Sequence, residues 1–130
     1  MLEKYEDQDF LLEITDGICY VSYKKDCVVT KDVSEKSIIE RIRISNGKSL
    51  PVLLDTRNVK YWTMDSRNNS MKGHAYHLIE YTAIVFKSAT FKIIWDFTVR
   101  LFPTPITHKS FLDFEEAKSW LIEDANKKES

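Results

Sequence analysis

The sequence predicts an α/β fold in which an N-terminal β-hairpin precedes alternating helices and strands around a mostly parallel mixed sheet. Three observations support this. An Asp16-Gly17 pair separates two β-rich runs, which is a strong hairpin signal. Later apolar runs are continuous, as in strands covered on both faces, and helical apolar spacing with capping residues recurs between them. We expect about five strands and about four helices in a single domain over residues 1–130.

The first third of the chain holds the hairpin and the helix after it. Residues 10–15 and 18–23 are rich in β-branched and aromatic side chains and form the two predicted strands. A helix is predicted over residues 31–45, because apolar residues recur there at helical spacing and an Asn-Gly pair follows. Either Thr30 or Asp32 can cap this helix.

The stretch Leu50–Val59 is a continuous apolar run that ends in a polar tip, formed by Asp55, Arg57 and Asn58. The strand–helix–strand order makes this strand parallel to the second hairpin strand, with a right-handed crossover. Open α/β sheets place their sites at the carboxyl ends of such strands. The tip is therefore the best candidate polar site in the sequence.

Two interpretations of this tip are open. In the structural one, Asp55 accepts backbone N–H groups in the turn, and Arg57 covers an aromatic ring such as Trp62. In the functional one, the tip faces Ser88 at the start of a later helix and forms a small polar pocket. Tyr61 and Trp62 would then be the apolar wall of that pocket.

The middle of the chain continues the alternation of elements. Residues 59–63 are predicted to be a loop that contains aromatic side chains, and a weak helix over residues 65–79 begins at Asp65 or Ser66. Residues 81–86 are almost continuously apolar and predict another buried strand.

Helix 89–102, capped by Ser88, is unusually apolar. Its polar side chains form a single row with a spacing of four, which consists of Lys92, Asp96 and Arg100. A surface helix ordinarily buries about a third to half of its circumference, so this apolar arc is wider than one sheet face needs. The excess must meet a neighbouring helix, a partner chain or an apolar ligand. The candidate contact residues are Phe91, Trp95 and Phe102.

The end of the chain adds one strand and one helix. The Pro103-Thr104-Pro105 segment forces an extended link, and residues 106–112 follow as a short strand whose polar members fit an edge position. A capping box at Asp113 then begins the last helix.

Composition excludes several classes of function. The 19 basic and 20 acidic residues nearly cancel, so no long-range field attracts nucleic acid. No apolar run is long enough to span a membrane, and the polar N-terminus is not a signal peptide. Cys19 and Cys27 do not have the Cys-x-x-Cys spacing of metal-binding or redox-active sites, and two cysteines are too few for a disulfide framework. This indicates a protein of the reduced cytoplasm. His74 and His77 are too few ligands for a metal, and no cofactor motif is present.

The order of elements and several segments resemble the STAS/SpoIIAA-like superfamily, and in particular its small, uncharacterised, single-domain bacterial proteins. The segments that carry the resemblance are residues 48–59, the helix that begins at Ser88, the Pro103–Pro105 break and residues 111–121. They cover most of the chain. The resemblance implies the fold of that superfamily, and it is not specific to an activity.

The resemblance also implies a candidate phosphorylation site. Anti-sigma factor antagonists of this superfamily carry an Asp-Ser-[Ser/Thr]-Gly stretch in which the Ser or Thr is phosphorylated to switch partner binding. The matching region here contains Asp65-Ser66 without the glycine. By this resemblance, Ser66 is the candidate phosphoacceptor.

Three hypotheses of function follow. The favoured one is a non-enzymatic regulatory or protein-interaction domain. It acts through the surface that joins the Asp55–Trp62 loop, the helix start at Asp65 and helix 89–102, and a homodimer is one form of it. The second is a carrier or sensor of an apolar small molecule or lipid, with helix 89–102 as a cavity wall. The third, an enzyme using Asp55, Arg57 or a histidine, is least favoured, because no base–nucleophile pair follows from the spacing.

Overall fold

The computed structural model describes the backbone of residues 3–129 and the side chains of residues 3–123. Over that part of the chain it contains eight strands, four α-helices and a 3₁₀ helix at Gly73–Tyr76. The strands are β1 (Lys4–Glu6), β2 (Phe10–Thr15), β3 (Ile18–Tyr23), β4 (Cys27–Val29), β5 (Leu50–Asp55), β6 (Val59–Trp62), β7 (Ile79–Val85) and β8 (Thr107–Phe111). The helices are α1 (Lys31–Ser45), α2 (Met64–Ser70), α3 (Ala89–Leu101) and α4 (Phe114–Glu129).

Six strands form one mixed sheet in the order β1-β2-β3-β5-β7-β8, and β4 pairs separately with β6. The β1–β2 and β2–β3 pairs are antiparallel. The β3–β5, β5–β7 and β7–β8 pairs are parallel. This topology confirms the predicted α/β fold with an N-terminal hairpin, and β8 occupies the predicted edge position.

The sheet carries a core layer on each face. On one face, α1 and the β4–β6 pair cover a cluster whose fully buried members include Phe10, Leu12 and Val29. On the other face, α4 packs on β5, β7 and β8 and buries Leu53 and Leu121 completely. Since β5 is covered on both faces, its continuous apolar run is explained.

Two local predictions are confirmed in detail. Asp16 and Gly17 have φ angles of 53° and 76°, as a two-residue hairpin turn of the primed type requires. Helix α1 covers the predicted residues, and Thr30 is its N-cap: the Thr30 hydroxyl accepts a hydrogen bond from the Val33 N–H at 3.2 Å. The helix ends at Asn46 in the left-handed conformation.

The prediction for residues 59–79 is wrong in three respects. Most of the predicted loop at 59–63 is strand β6, which pairs with β4 across a long sequence separation. Helix α2 ends at Ser70 instead of residue 79, because weak helix formers accumulate there. Its N-cap is Thr63, whose hydroxyl accepts from the Ser66 N–H, and not Asp65 or Ser66. The three-residue strands β1 and β4 were also not predicted.

Candidate functional site

Helix α3 lies against β8 with Asp96 of its polar row turned toward the sheet, whereas Arg100 at the end of that row is exposed. None of its residues is fully buried. Asp96 accepts a hydrogen bond from the Ser110 hydroxyl on β8 and a second from Lys92 Nζ at 3.0 Å. The Trp95 ring lies 5.7 Å from the His108 ring on β8, centroid to centroid. The helix therefore uses polar and aromatic contacts, and not its aliphatic stripe, to hold the sheet.

Most of the aliphatic and phenylalanine side chains of α3 consequently face solvent. Ile93 is 66% exposed and Phe97 is 59% exposed, and the neighbouring apolar residues are exposed to a similar degree. We call this surface the α3 face. Its members are Thr90, Phe91, Ile93, Ile94, Phe97, Leu101 and Phe102.

The α3 face is large for a monomeric protein. Taking about 200 Å² for a fully exposed large apolar side chain, its six apolar members expose roughly 600 Å² together. The largest apolar patch on a typical monomer is about 300–600 Å² and is often functional. The α3 face is thus the strongest sign of an interaction surface in the described part of the chain.

The electrostatics beneath α3 keep Asp96 ionised and His108 neutral. Burial by itself would raise the pKa of Asp96, but the hydrogen bonds from Ser110 and Lys92 outweigh it and leave this pKa below its usual value. Burial lowers the pKa of His108, whose ring is also within hydrogen-bond distance of the Thr104 hydroxyl. A charged Asp96 can therefore anchor α3 at neutral pH.

The polar tip after β5 has the geometry of the structural interpretation. Arg57 donates two side-chain hydrogen bonds to the Asp55 carboxylate, at 2.9 and 2.8 Å, and its backbone N–H donates a third. The Asp55 hydrogen bond is the main cause that raises the pKa of Arg57. The guanidinium lies 5.5 Å from the ring of Phe114, not over Trp62. Asp55 is thus occupied within its own turn.

The remaining tip residues are not gathered into one pocket. Asn58 donates to the Tyr23 carbonyl at 3.4 Å, and the Trp62 ring packs edge-on against Tyr23 at 5.6 Å. The Ser88 hydroxyl accepts from the Phe91 N–H as the N-cap of α3. Among the side chains described, residues 3–123, no hydrogen bond or ion pair joins the tip to Ser88.

Ser66 lies in the interior of the fold. It is 0% exposed, and its hydroxyl donates to the Thr63 carbonyl at 2.7 Å. Asp65 accepts a hydrogen bond from the Thr63 hydroxyl. Phosphorylation of Ser66 would therefore require the start of α2 to open, and this role stays a prediction.

Sequence reasoning missed a polar cluster between α1 and α2. Glu35 Oε2 is 2.8 Å from both His74 Nε2 and Asn69 Nδ2, and the hydrogen bond with His74 is the main cause that lowers the pKa of Glu35. Nearby, the buried Arg41 donates to the carbonyls of Ala75 and His77. These contacts fasten the 3₁₀ helix to α1.

Of the three contact residues predicted on α3, the structure places two on the α3 face. Phe91 and Phe102 are exposed at its borders, whereas Trp95 is half-buried against the sheet. The prediction omitted the centre of the face, which consists of Ile93, Ile94, Phe97 and Leu101. Their spacing of three and four residues was the available signal.

Comparison with known proteins gives a family. A family model described as a domain of unknown function, DUF7793, matches residues 12–124. The chain belongs to the DUF7793 family. No curated protein matches the sequence of this DUF7793 chain.

Among solved structures, the DUF7793 chain is similar to an uncharacterised DUF3478-family protein with a SpoIIAA-like fold from Shewanella loihica PV-4. The identity is 19% and the TM-score is 0.61, over 86% of this chain and 91% of that chain. At this identity the similarity shows the fold alone, and it confirms the SpoIIAA-like resemblance predicted from the sequence. Within residues 3–129, no helix has the length and apolarity needed to cross a membrane.

Proposed function

We propose that this DUF7793 protein is a non-enzymatic, cytoplasmic regulatory or protein-interaction domain that binds its partner through the α3 face. One observation carries the proposal: α3 turns Asp96 toward the sheet and most of its apolar residues toward solvent. Burying a large apolar side chain fully is worth about 1.5–3 kcal/mol. A partner that covers Ile93, Phe97 and their neighbours would recover that stabilisation.

The region after β5 extends this surface. Lys87 Nζ lies 5.3 Å from the centre of the Phe91 ring and donates to the Val59 carbonyl at the start of β6. One side chain therefore connects the α3 face to the Asp55–Trp62 segment. Tyr61 on β6 and Met64 at the start of α2 are also exposed, so a protein partner could contact both elements.

The shape of the α3 face favours a protein over an apolar small molecule or lipid. Small-molecule sites are concave and bury most of the ligand, whereas the α3 face is the convex side of a helix. Two depressions of the described surface, of about 340 and 370 Å³, lie elsewhere. Their linings include charged residues such as Asp16 and Arg43 in one and Glu116 in the other. The carrier hypothesis is therefore the second candidate.

Site-specific photo-crosslinking tests the proposal. A photoreactive benzoyl-phenylalanine replaces Phe97, and in a matched control it replaces Ile39, which is exposed on α1. On irradiation in the cells that make the protein, the Phe97 position should give a discrete protein adduct and the Ile39 position should not. Equal labelling from both positions, or no protein adduct from Phe97, would overturn the proposal.

A further inference from the structure

We propose that the α3 face binds the α3 face of a second copy of this chain, with the two helices antiparallel about a two-fold axis. The inference rests on the proposed function and deepens it, because it names the partner, the orientation and the register. The spacing of the exposed residues and the area available support it.

The exposed residues along the centre of α3 have the spacing of a helix–helix seam. Thr90, Ile94, Phe97 and Leu101 follow one another at intervals of four, three and four residues, and all four are exposed. This is the a/d spacing with which two helices pack along a common line. A second helix is therefore the occupant that fits the stripe.

The two-fold axis falls midway between Ile94 and Phe97. An antiparallel pair centred there places Ile94 against Phe97 of the second copy, and Thr90 against Leu101 of the second copy. Each large side chain thus meets a smaller aliphatic or polar one, and the same contacts repeat on both sides of the axis, as an isologous interface requires.

The basic residue at the border of the face, Arg100, is compatible with this orientation. In the antiparallel pair the two Arg100 side chains are nine residues apart along the axis, about 13 Å at the helical rise, which exceeds the screening length of about 8 Å at physiological salt. The seam therefore brings no like charges together.

The area is sufficient for a specific but reversible dimer. The roughly 600 Å² of the α3 face from each copy gives about 1,200 Å² in total, which is the lower end for specific interfaces. The formal net charge of −1 opposes association little. We therefore expect a dimer that dissociates on dilution.

An anionic membrane surface is the rival occupant, and the charges on α3 favour it less. Helices that lie in the membrane interface carry a row of basic residues on the polar face. Helix α3 has only Lys92 and Arg100. Lys92 is paired with Asp96 beneath the helix, so of the basic residues on the helix itself only Arg100 would meet the lipid headgroups.

Sedimentation velocity tests the inference over about 1 to 200 µM protein, a range that covers micromolar dissociation constants. The unmodified chain should shift from monomer to dimer. Phe97→Asp should raise the dissociation constant by more than tenfold, and the matched control Ile39→Asp should leave it unchanged. Circular dichroism spectra that agree among the three proteins show that the fold is intact.

Cysteine crosslinking tests the orientation. Thr90→Cys mixed with Leu101→Cys should give a disulfide-linked heterodimer, and Thr90→Cys alone should give little crosslinked product. Efficient self-crosslinking of Thr90→Cys indicates a parallel pair and overturns the proposed geometry.

The two proposals fail in different ways. A chain that stays monomeric at the highest concentration, or a dimer that Phe97→Asp does not weaken, overturns the second-copy inference. So does a monomer that sediments with vesicles containing about one third phosphatidylserine. If the Phe97 photo-adduct contains a different protein, the proposed function stands and the second-copy inference fails; if no adduct forms, both fail.

Discussion

The exposure of Phe97 gives a prediction that tests the orientation of α3 directly. The change is Phe97→Ala, and its matched control is Phe10→Ala in the core. Phe97 is 59% exposed and Phe10 is 0% exposed. If α3 lies as described, the two identical changes of side chain should have very different effects on the free energy of unfolding.

The magnitudes follow from burial. Removing a fully buried phenylalanine costs about 3–5 kcal/mol, since the apolar transfer energy is lost and a cavity is left. Phe97 has less than half of its surface buried and leaves no closed cavity, so its loss should be about 1 kcal/mol. With a urea m-value of about 1–3 kcal/mol/M, the midpoints of the two variants should differ by about 1 M or more.

The assay is urea unfolding followed by circular dichroism at about 1 µM protein, where a micromolar dimer is dissociated. A loss above about 3 kcal/mol for Phe97→Ala, equal to that for Phe10→Ala, would falsify the outward orientation of α3. Repeating the measurement at about 100 µM adds a second test. There the dimer stabilises the folded chain by mass action, so the difference between the unmodified protein and Phe97→Ala should grow.

Three further predictions concern the interior and the polar tip. Burial lowers the pKa of His108 in the folded protein. The neutral ring therefore contributes its full stability above about pH 6.5, the usual pKa of an unfolded histidine, and this stability is lost as the pH falls below that value. In thermal melts between about pH 7 and 5, His108→Gln should lose less stability than the unmodified protein. Ser66→Asp should destabilise the fold by about 3 kcal/mol or more, because it buries a charge. Ser66→Ala should cost only about 1 kcal/mol, for the lost hydrogen bond to the Thr63 carbonyl. Equal urea midpoints for the two variants would contradict the buried position of Ser66. Arg57→Ala should cost no more than about 1 kcal/mol of stability, because it removes a partly exposed ion pair with Asp55. It should leave the dissociation constant of the dimer unchanged. A loss of self-association in this variant would assign the tip to the interface.

Local sequence signals were sufficient where one short segment decides its own conformation. The Asp16-Gly17 turn, helix α1 and strand β5 each carry their signal within a few residues, and all three formed as predicted. The turn requires positive φ angles, which Asp and Gly tolerate, and Asn46 ends α1 for the same reason.

Prediction failed where distant segments decide the outcome. Strands β4 and β6 are short, and each becomes a strand only by pairing with the other. That pairing also selects the cap of α2. The Thr63 N–H donates to the Val29 carbonyl at the end of β4, which holds Thr63 in the extended conformation that an N-cap needs. Asp65 and Ser66 had the chemistry of a cap but not that position.

For helix α3, the sequence by itself determined its place in the fold, its Ser88 cap and its division into one polar row and a wide apolar arc. Only the tertiary structure decided which side faces the sheet. Amphipathic patterning predicts that the apolar side is buried. Instead, β8 presents Ser110 and His108 to the helix, and these side chains bind Asp96 and pack on Trp95. Because Asp96 of the polar row binds Ser110 of the sheet and Lys92 of its own helix, Ile93, Ile94, Phe97 and Leu101 face solvent.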